Sequence, residues 1–240
     1  MSTSSEVTIV IPAKNEAQLL PILLTSLAKQ DYPAIRSTKT FIADANSSDG
    51  TPDIARSFAD RLDIEVIPGG LPAVGRNAGA ARATTPYVLF LDADMELPDP
   101  TLLRRSLEHM KRRGLHCLTT HIWCRGGDWM DQILYAGSNL TQYSSCLINR
   151  PFATGMYMLF DKHRFEELGG FHEKALYAED YLLSKKVGTR RFGIVRGTAL
   201  TTNRRFRKMG HFHIVGLFLK TAVNSFDDNY FLRDQHYWHS

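Results

Sequence analysis

The chain has 240 residues, 43% hydrophobic and 22% charged, which is enough apolar material for a real core and too much for wholesale disorder. Its three cysteines, at positions 117, 124 and 146, are odd in number and lack Cys-x-x-Cys spacing, which excludes a disulfide framework and a zinc knuckle. A net charge of +4 is too mild to indicate nucleic acid, no apolar run is long enough to span a membrane, and the polar stretch Met1 to Glu6 does not read as a secretory signal, so a cytoplasmic protein is expected.

The first 115 residues alternate between strand and helix signals. Val7 to Ile11 is a continuous apolar run, as in a strand buried on both faces, and it stops at Pro12. Asn15 is placed to cap a helix over Glu16 to Lys29, with Pro21 bending its first turns. Thr40 to Ala43 reads as a second strand, and Thr51-Pro52 as the cap and first residue of a helix to Ala59. Ile64 to Ile67 is a third strand. The turn Pro68-Gly69-Gly70 then leads into a small-residue helix over Val74 to Ala83. Tyr87 to Leu91 is a fourth strand, and Asp99-Pro100 opens a helix to Arg113. Beyond it the signals are less regular. They give a strand over His116 to Trp123, a helix over Trp129 to Tyr143 and a strand over Met156 to Phe160. A short helix capped by Asp161 ends at Gly169-Gly170, and Glu179 to Val187 reads as helical. The aromatic, basic C-terminal third yields no firm element.

This alternation predicts an α/β fold with a mostly parallel sheet, in which ligands lie beyond the carboxyl ends of the strands. Topology therefore gathers Lys14 to Glu16, Asp44 to Asp49, Gly69 to Asn77 and Asp92 to Asp94 on one rim. Thr189 to Lys208 carries seven basic residues and no acid, whereas the segments after Asp44 and Asp92 are acid-rich. Such a pairing suits a metal with a polyanion such as a diphosphate, and equally a plain solvated basic face.

Four constellations carry chemistry. In Leu91-Asp92-Ala93-Asp94, two carboxylates at a strand end offer paired hard oxygens that suit Mg²⁺ or Mn²⁺, and a turn with a helix cap would look the same. In Asp44-Ala45-Asn46-Ser47-Ser48-Asp49-Gly50-Thr51, Asp44 can accept the N–H of a nucleobase, while Asp49-Gly50 is turn chemistry. Gly75-Arg76-Asn77-Ala78-Gly79 lets a helix pack closely and offers a guanidinium fork, and it is neither a P-loop nor a dinucleotide fingerprint. The fourth is Ala153-Thr154-Gly155-Met156, then Gly169-Gly170-Phe171, then Glu179-Asp180. It presents an acid pair at a helix start, which suits a general base as well as simple favour from the helix dipole.

Taken in order, Pro-x-Lys-Asn-Glu, Asp-x-Asn-Ser-Ser-Asp-Gly-Thr, Gly-Arg-Asn-x-Gly, Leu-Asp-Ala-Asp, Gly-Gly-Phe-x-Glu and Glu-Asp resemble a family 2 glycosyltransferase of the GT-A fold, over Val7 to about Val187. The resemblance implies one Rossmann-like α/β domain, with a mostly parallel mixed sheet flanked by helices. Residues 1–200 would form this domain, its nucleotide-binding half over 1–115 and its acceptor half over 116–200. Residues 201–240 would be a lid or helical extension. It also implies an inverting, metal-dependent enzyme that takes a nucleotide-diphosphate sugar as donor, with UDP expected ahead of GDP on family frequency alone.

Carried over residue by residue, Pro12, Ala13, Lys14, Asn15, Glu16 and Asp44 would hold the nucleoside. Arg76 would approach the diphosphate, Asp92 with Ala93 would contact the ribose or sugar, and Asp94 would bind Mn²⁺ or Mg²⁺. Asp180 would be the catalytic base with Glu179 beside it, and Thr154, Gly155 and Met156 would shape the sugar and acceptor pocket. Related enzymes often add a C-terminal histidine to the metal. His211 is preferred here over His213, and Arg204 and Arg205 would close over the diphosphate.

Two departures from the family pattern stand out. Ala45 replaces the aspartate that often follows the one at 44, and the Gln-x-x-Arg-Trp motif of processive members is missing, which favours a single sugar transfer. The acceptor would be a hydroxyl. The apolar segment Phe212 to Lys220, with Trp123, Trp129, Tyr135 and Tyr143, reads as a core helix or as an interfacial patch for a lipid-linked or hydrophobic acceptor on the inner membrane face. Competing readings are a haloacid-dehalogenase-type phosphatase and a nucleotide-binding scaffold without turnover. The first lacks the Thr or Val expected after the second aspartate, where Met95-Glu96 stand, and the second sits poorly with intact Asp92, Asp94 and Asp180. A sugar nucleotidyltransferase should carry a Gly-rich Arg/Lys loop after the first strand, where Pro12 to Glu16 stand.

Overall fold

The computed structural model describes residues 4–175, 177–225 and 227–232, without the side chains of Arg205, Phe212, Ala222, Asp228 and Asn229. Its centre is one seven-stranded sheet with strands β1 (Val7–Ala13), β2 (Thr40–Asp44), β3 (Ile64–Pro68), β4 (Tyr87–Leu91), β5 (Cys117–Cys124), β6 (Tyr157–Asp161) and β7 (Phe192–Thr201). They lie in the order β3-β2-β1-β4-β6-β5-β7. The first four run parallel, β6 is antiparallel to both neighbours, and β5 and β7 are parallel. Val7, Ile9, Val10 and Ile11 are all fully buried, as a strand covered by helices on both faces requires.

The helices are α1 (Leu20–Ala28), α2 (Thr51–Arg56), α3 (Pro72–Arg82), α4 (Leu102–Arg113), α5 (Trp129–Leu147), α6 (Lys162–Glu167), α7 (Glu179–Ser184), α8 (Arg204–Met209) and α9 (His211–Val223). Helices α1 and α4 begin later than capping chemistry suggested, and α2 one residue earlier. Asn15 takes the left-handed conformation at φ 55°, so the chain turns through residues 16–19 before α1 begins, and Pro21 falls in the first turn where it is tolerated. Gly50 at φ 84° occupies the cap of α2, which makes Thr51 the first helical residue. Asp99 accepts the Thr101 N–H and hydroxyl, and Thr101 caps α4. The stretch after Thr189 divides: a 3-10 turn over Thr189–Arg191 and then β7, with only α8 continuing the basic run on a helix. None of the helices among the described residues is long and apolar enough to cross a membrane.

Helix α5 is built inside out. From Thr119 onward β5 diverges from β6, leaving its flanking backbone groups without a strand partner. Side-chain amides of α5 take that place. Gln142 donates to the Thr120 carbonyl at 3.5 Å, Asn139 accepts from the Ile122 N–H and donates to its carbonyl, and Gln132 donates to the Cys124 carbonyl. Buried backbone groups must be paired, so the inward face of α5 is polar, with Asp131, Asn139, Gln142 and Ser145 buried. Tyr135 and Cys146 pack against the core, while Trp129, Ile133, Leu140, Tyr143 and Leu147 point outward.

The rim is set by close backbone approach. A Cβ on Gly79 would lie 2.4 Å from Val10 Cγ1, and one on Gly75 3.1 Å from the Ala43 Cβ, so α3 lies tight against β1 and β2. Gly79→Ala is expected to lower stability by about 1–3 kcal/mol through overpacking. Paired with Val10→Ala it should cost less than the two single changes summed, as read from guanidinium unfolding midpoints.

Candidate functional site

Two loops at the carboxyl ends of β1 and β2 are stapled together. Asn15 N–H donates to Ser47 Oγ at 2.9 Å, Asn15 Oδ1 accepts from Ser48 N–H, and Glu16 N–H donates to Thr51 Oγ1. Asp49 accepts from Ala17 N–H and from the Thr51 N–H and hydroxyl, and the Thr51 and Ala17 donors hold its carboxyl below its ordinary pKa. Asp49 therefore serves local structure. Asp44 differs: one oxygen accepts Ser47 N–H, while the other, Oδ1, is buried without a partner. An orphaned buried acceptor at a strand end fits an incoming N–H donor such as a nucleobase. Pro12 is half-buried and Lys14 exposed on this loop, whereas the Ala13 methyl belongs to the core.

Arg76 joins the two halves of the sheet. Its side chain is only 3% exposed, and it donates through Nη2 to Asp92 Oδ1 at 2.5 Å and through Nη1 to Glu179 Oε1 at 2.7 Å. Burial works against its charge, but Asp92, Glu179 and Asp180 outweigh it and keep the guanidinium protonated. The Phe171 ring lies 5.2 Å away. Both terminal nitrogens are committed to carboxylates in the interior. A Cβ on Gly155 would sit 2.6 Å from Nη2, so that glycine leaves room for the guanidinium. Asp92 has one oxygen on Arg76, and Ala93 is buried in the core.

Asp180 opens α7 beside Glu179, after Ala178 in the left-handed conformation. Its Oδ2 accepts Gly155 N–H at 2.7 Å. Burial and the neighbouring Glu179 charge push its pKa up to about 6, against the pull of the Gly155 N–H, Arg76 and the Tyr181 N–H. The Met156 carbonyl accepts Asp92 N–H at 3.4 Å, and Thr154 Oγ1 is buried without a partner nearby in sequence. Residues 92, 154–156 and 179–180 therefore meet in one place.

The second acid of Asp-x-Asp faces the C-terminal segment. Arg204 forms a two-point ion pair with Glu16, at 3.0 and 2.5 Å, and its Nη2 lies 3.7 Å from Asp94 Oδ2. Two carboxylates drawn around one cation mark this locus as fit for positive charge, and the hard oxygens of Asp94 suit Mg²⁺ or Mn²⁺. Next to it lies an open cleft of about 700 Å³, lined on one wall by Asn15, Glu16, Gln18, Leu19 and Asp49 and on the other by Thr202, Asn203, Arg204, Arg207 and Lys208. The side chain of Arg205 lies outside the described residues.

His211 has a different partner from the expected one. Its Nε2 lies 2.7 Å from Asp131 Oδ1, and its ring stacks on Phe206. Asp128, Asp131 and His211 bring potential metal-ligating atoms within 4.8 Å of one another. Asp131 already serves the capping box of α5 and accepts the Asn203 amide. Burial tends to raise its pKa, but the Asn203 and His211 bonds hold it below its ordinary value. This knot ties α8 and α9 to the start of α5.

Sequence reasoning missed several residues. Asn77 holds both the N–H and the carbonyl of Phe171, fixing the Gly169-Gly170-Phe171 loop; its place one residue after Arg76 was the available signal. Glu16 as the partner of Arg204, and Asn139 and Gln142 as a backbone ladder, carry no signal in the linear pattern.

The family model described as Glycosyl transferase family 2 matches residues 8–169. Glycosyltransferase AglE of Haloferax volcanii is 30% identical over 194 residues, 77% of this chain and 62% of its own length. Validoxylamine A glucosyltransferase of Streptomyces hygroscopicus subsp. jinggangensis is 39% identical over 88 residues, 35% of this chain and 21% of its own. Among solved structures, the mannosyltransferase PcManGT from Pyrobaculum calidifontis, in complex with GDP-Man and Mn²⁺, has a TM-score of 0.67 at 22% identity, covering 92% of this chain and 65% of that one. TarS 1-349 from S. aureus, in complex with UDP-GlcNAc, also has a TM-score of 0.67, at 19% identity, covering 83% of this chain and 59% of that one. These structures share the GT-A fold, and the chain spans less than two thirds of each of these four proteins.

Arg76→Met should cost about 3–5 kcal/mol, since it leaves Glu179 and Asp92 without their shared cation. Arg76→Lys should recover only part of that, because one ammonium cannot fork to both carboxylates. Chemical denaturation at pH 7.5 checks both.

Proposed function

The chain belongs to glycosyl transferase family 2, and on that footing we propose that it is an inverting, metal-dependent glycosyltransferase moving one sugar from a nucleoside-diphosphate sugar to an acceptor hydroxyl. One observation carries the reading. Asp180, held by the Gly155 amide, has its proton affinity raised to about 6 where the Asp-x-Asp loop and the Thr154–Met156 loop meet. A carboxylate near neutrality is suited to take a proton from an attacking hydroxyl.

Asp44 Oδ1 would accept from the base of the nucleoside, with Pro12 to Glu16 along its side; UDP-sugars are proposed ahead of GDP-sugars on family frequency alone. Thr154 Oγ1 would hydrogen-bond a sugar or acceptor hydroxyl. Asp94 would hold a Mn²⁺ or Mg²⁺ ion, which when bound supplies charge neutralisation at the departing diphosphate. His211 would join it only by leaving Asp131. In the transfer, the acceptor oxygen bonds to the anomeric carbon as the bond from that carbon to the phosphate oxygen breaks. The diphosphate keeps the electron pair, Asp180 takes the hydroxyl proton, and attack from the opposite face inverts the configuration. Arg76 keeps Glu179 and Asp92 fixed on either side. Arg204, now on Glu16 and Asp94, would turn to the diphosphate when the donor arrives, so that residues from 201 onward close as a lid. The phosphatase alternative is not favoured, because the family match covers the Asp-x-Asp strand and the units before it.

Incubation with Mn²⁺ and UDP- or GDP-sugars should release nucleoside diphosphate slowly. No release, and no calorimetric binding of any donor, would sink the proposal. Asp180→Asn should lower transfer at least about 1000-fold while donor affinity changes little, whereas Asp94→Ala should weaken both. The active form of Asp180 is the carboxylate. The transfer rate should therefore be level above its pKa of about 6 and fall about tenfold per pH unit below it, a slope that Asp180→Asn should abolish.

A further inference from the structure

We infer that the outward face of α5 is the seam of a two-fold dimer of this chain. Trp129, Ile133, Ala136, Leu140, Tyr143 and Leu147 follow one another at spacings of four, three, four, three and four residues, and all six are exposed. This is the narrow repeat that a helix presents to another helix. Exposure reaches 71% at Trp129, 68% at Leu140 and 87% at Leu147, unusual values for side chains of this size. The pattern has a cause within the fold. Asn139 and Gln142 are committed to the β5 backbone, so the apolar side of the helix has no core to enter.

The occupant follows from size and charge. Aromatic side chains each bury on the order of 150–250 Å². Five large side chains here, with exposed Ile148 and with Leu219 and Val223 on the adjoining α9, present on the order of 800 Å². Typical monomers expose apolar patches of roughly 300–600 Å². The value matches the share that one partner gives to a standard interface, about 800 Å². A surface of this extent can bury itself against its own copy across a two-fold axis. From Gln132 to Asn149 the chain has no charged residue, and the small Gly137 and Ser144 flank the repeat, so two such helices can approach closely. A helix that lies on lipid is rich in Lys or Arg on its polar face, and α5 carries neither within Trp129–Leu147.

Sedimentation velocity and light scattering of the full chain should give a dimer, twice the 27.1 kDa of one chain. Leu140→Asp should raise the dimer dissociation constant at least about 100-fold, as for a central interface side chain, with an unchanged far-ultraviolet circular dichroism spectrum. If that variant fails to fold, Leu147→Gln is the milder substitute and should weaken the dimer in the same direction. A chain that is monomeric at every concentration up to 100 µM, roughly the weak limit of a specific interface, overturns the inference. So does a dimer that survives both substitutions. A monomer that floats with phosphatidylglycerol vesicles, and stops doing so in Leu140→Asp, assigns the face to lipid and overturns it as well.

Discussion

A single guanidinium, buried between two carboxylates from opposite halves of the chain, fixes where everything else at the rim can stand. Arg76 comes from α3, Asp92 from the end of β4 and Glu179 from the start of α7, and sequence separations of 16 and 103 residues close on one side chain. A buried cation with two anions is stable only when its geometry is good, because each charge left unpaired in the interior is costly. The pair therefore holds the Asp-x-Asp loop and α7 in register. Asp180 takes its place as a consequence: it follows Glu179 directly and finds the Gly155 amide, and Gly155 is small because Arg76 lies against it.

That arrangement depends on backbone proximity laid down elsewhere. Gly75 and Gly79 bring α3 down on β1 and β2, which carries Arg76 under the sheet's carboxyl edge. Asn77, on the same helix, grips Phe171, whose ring lies against the guanidinium. One short helix thus supplies the packing surface, the cation and the tether for the loop before the acid pair.

The far half of the sheet solves a different problem. Where β5 parts from β6, amide side chains of α5 stand in for a strand, and the helix turns its apolar side outward. The start of the same helix anchors Asn203 and His211 through Asp131, so α8 and its Arg204 are held beside Glu16 by α5. The outward face and the cleft are two ends of one construction.

Much of this was legible in the sequence. The continuous apolar run at Val7, the strand-end acids and the Gly-Arg-Asn-x-Gly segment gave the α/β alternation and the rim, because periodicity and turn chemistry are local properties. Asp49 as structure could also be read, since Asp-Gly-Thr-Pro is turn chemistry in itself. The partner of each charge could not be read. In the sequence Arg76 pointed to a ligand and His211 to a metal, with nothing to indicate Glu179 or Asp131; only the packed chain, by excluding water from these pairs, brought them together. β7 escaped notice because it lies inside a segment read as one basic stretch, although Arg196 is its only basic residue, and α5 was recognisable as a helix while its orientation was not. Which face of a helix is buried depends on what its neighbour needs, and here an unpaired strand flank, invisible in α5's own residues, required the amides.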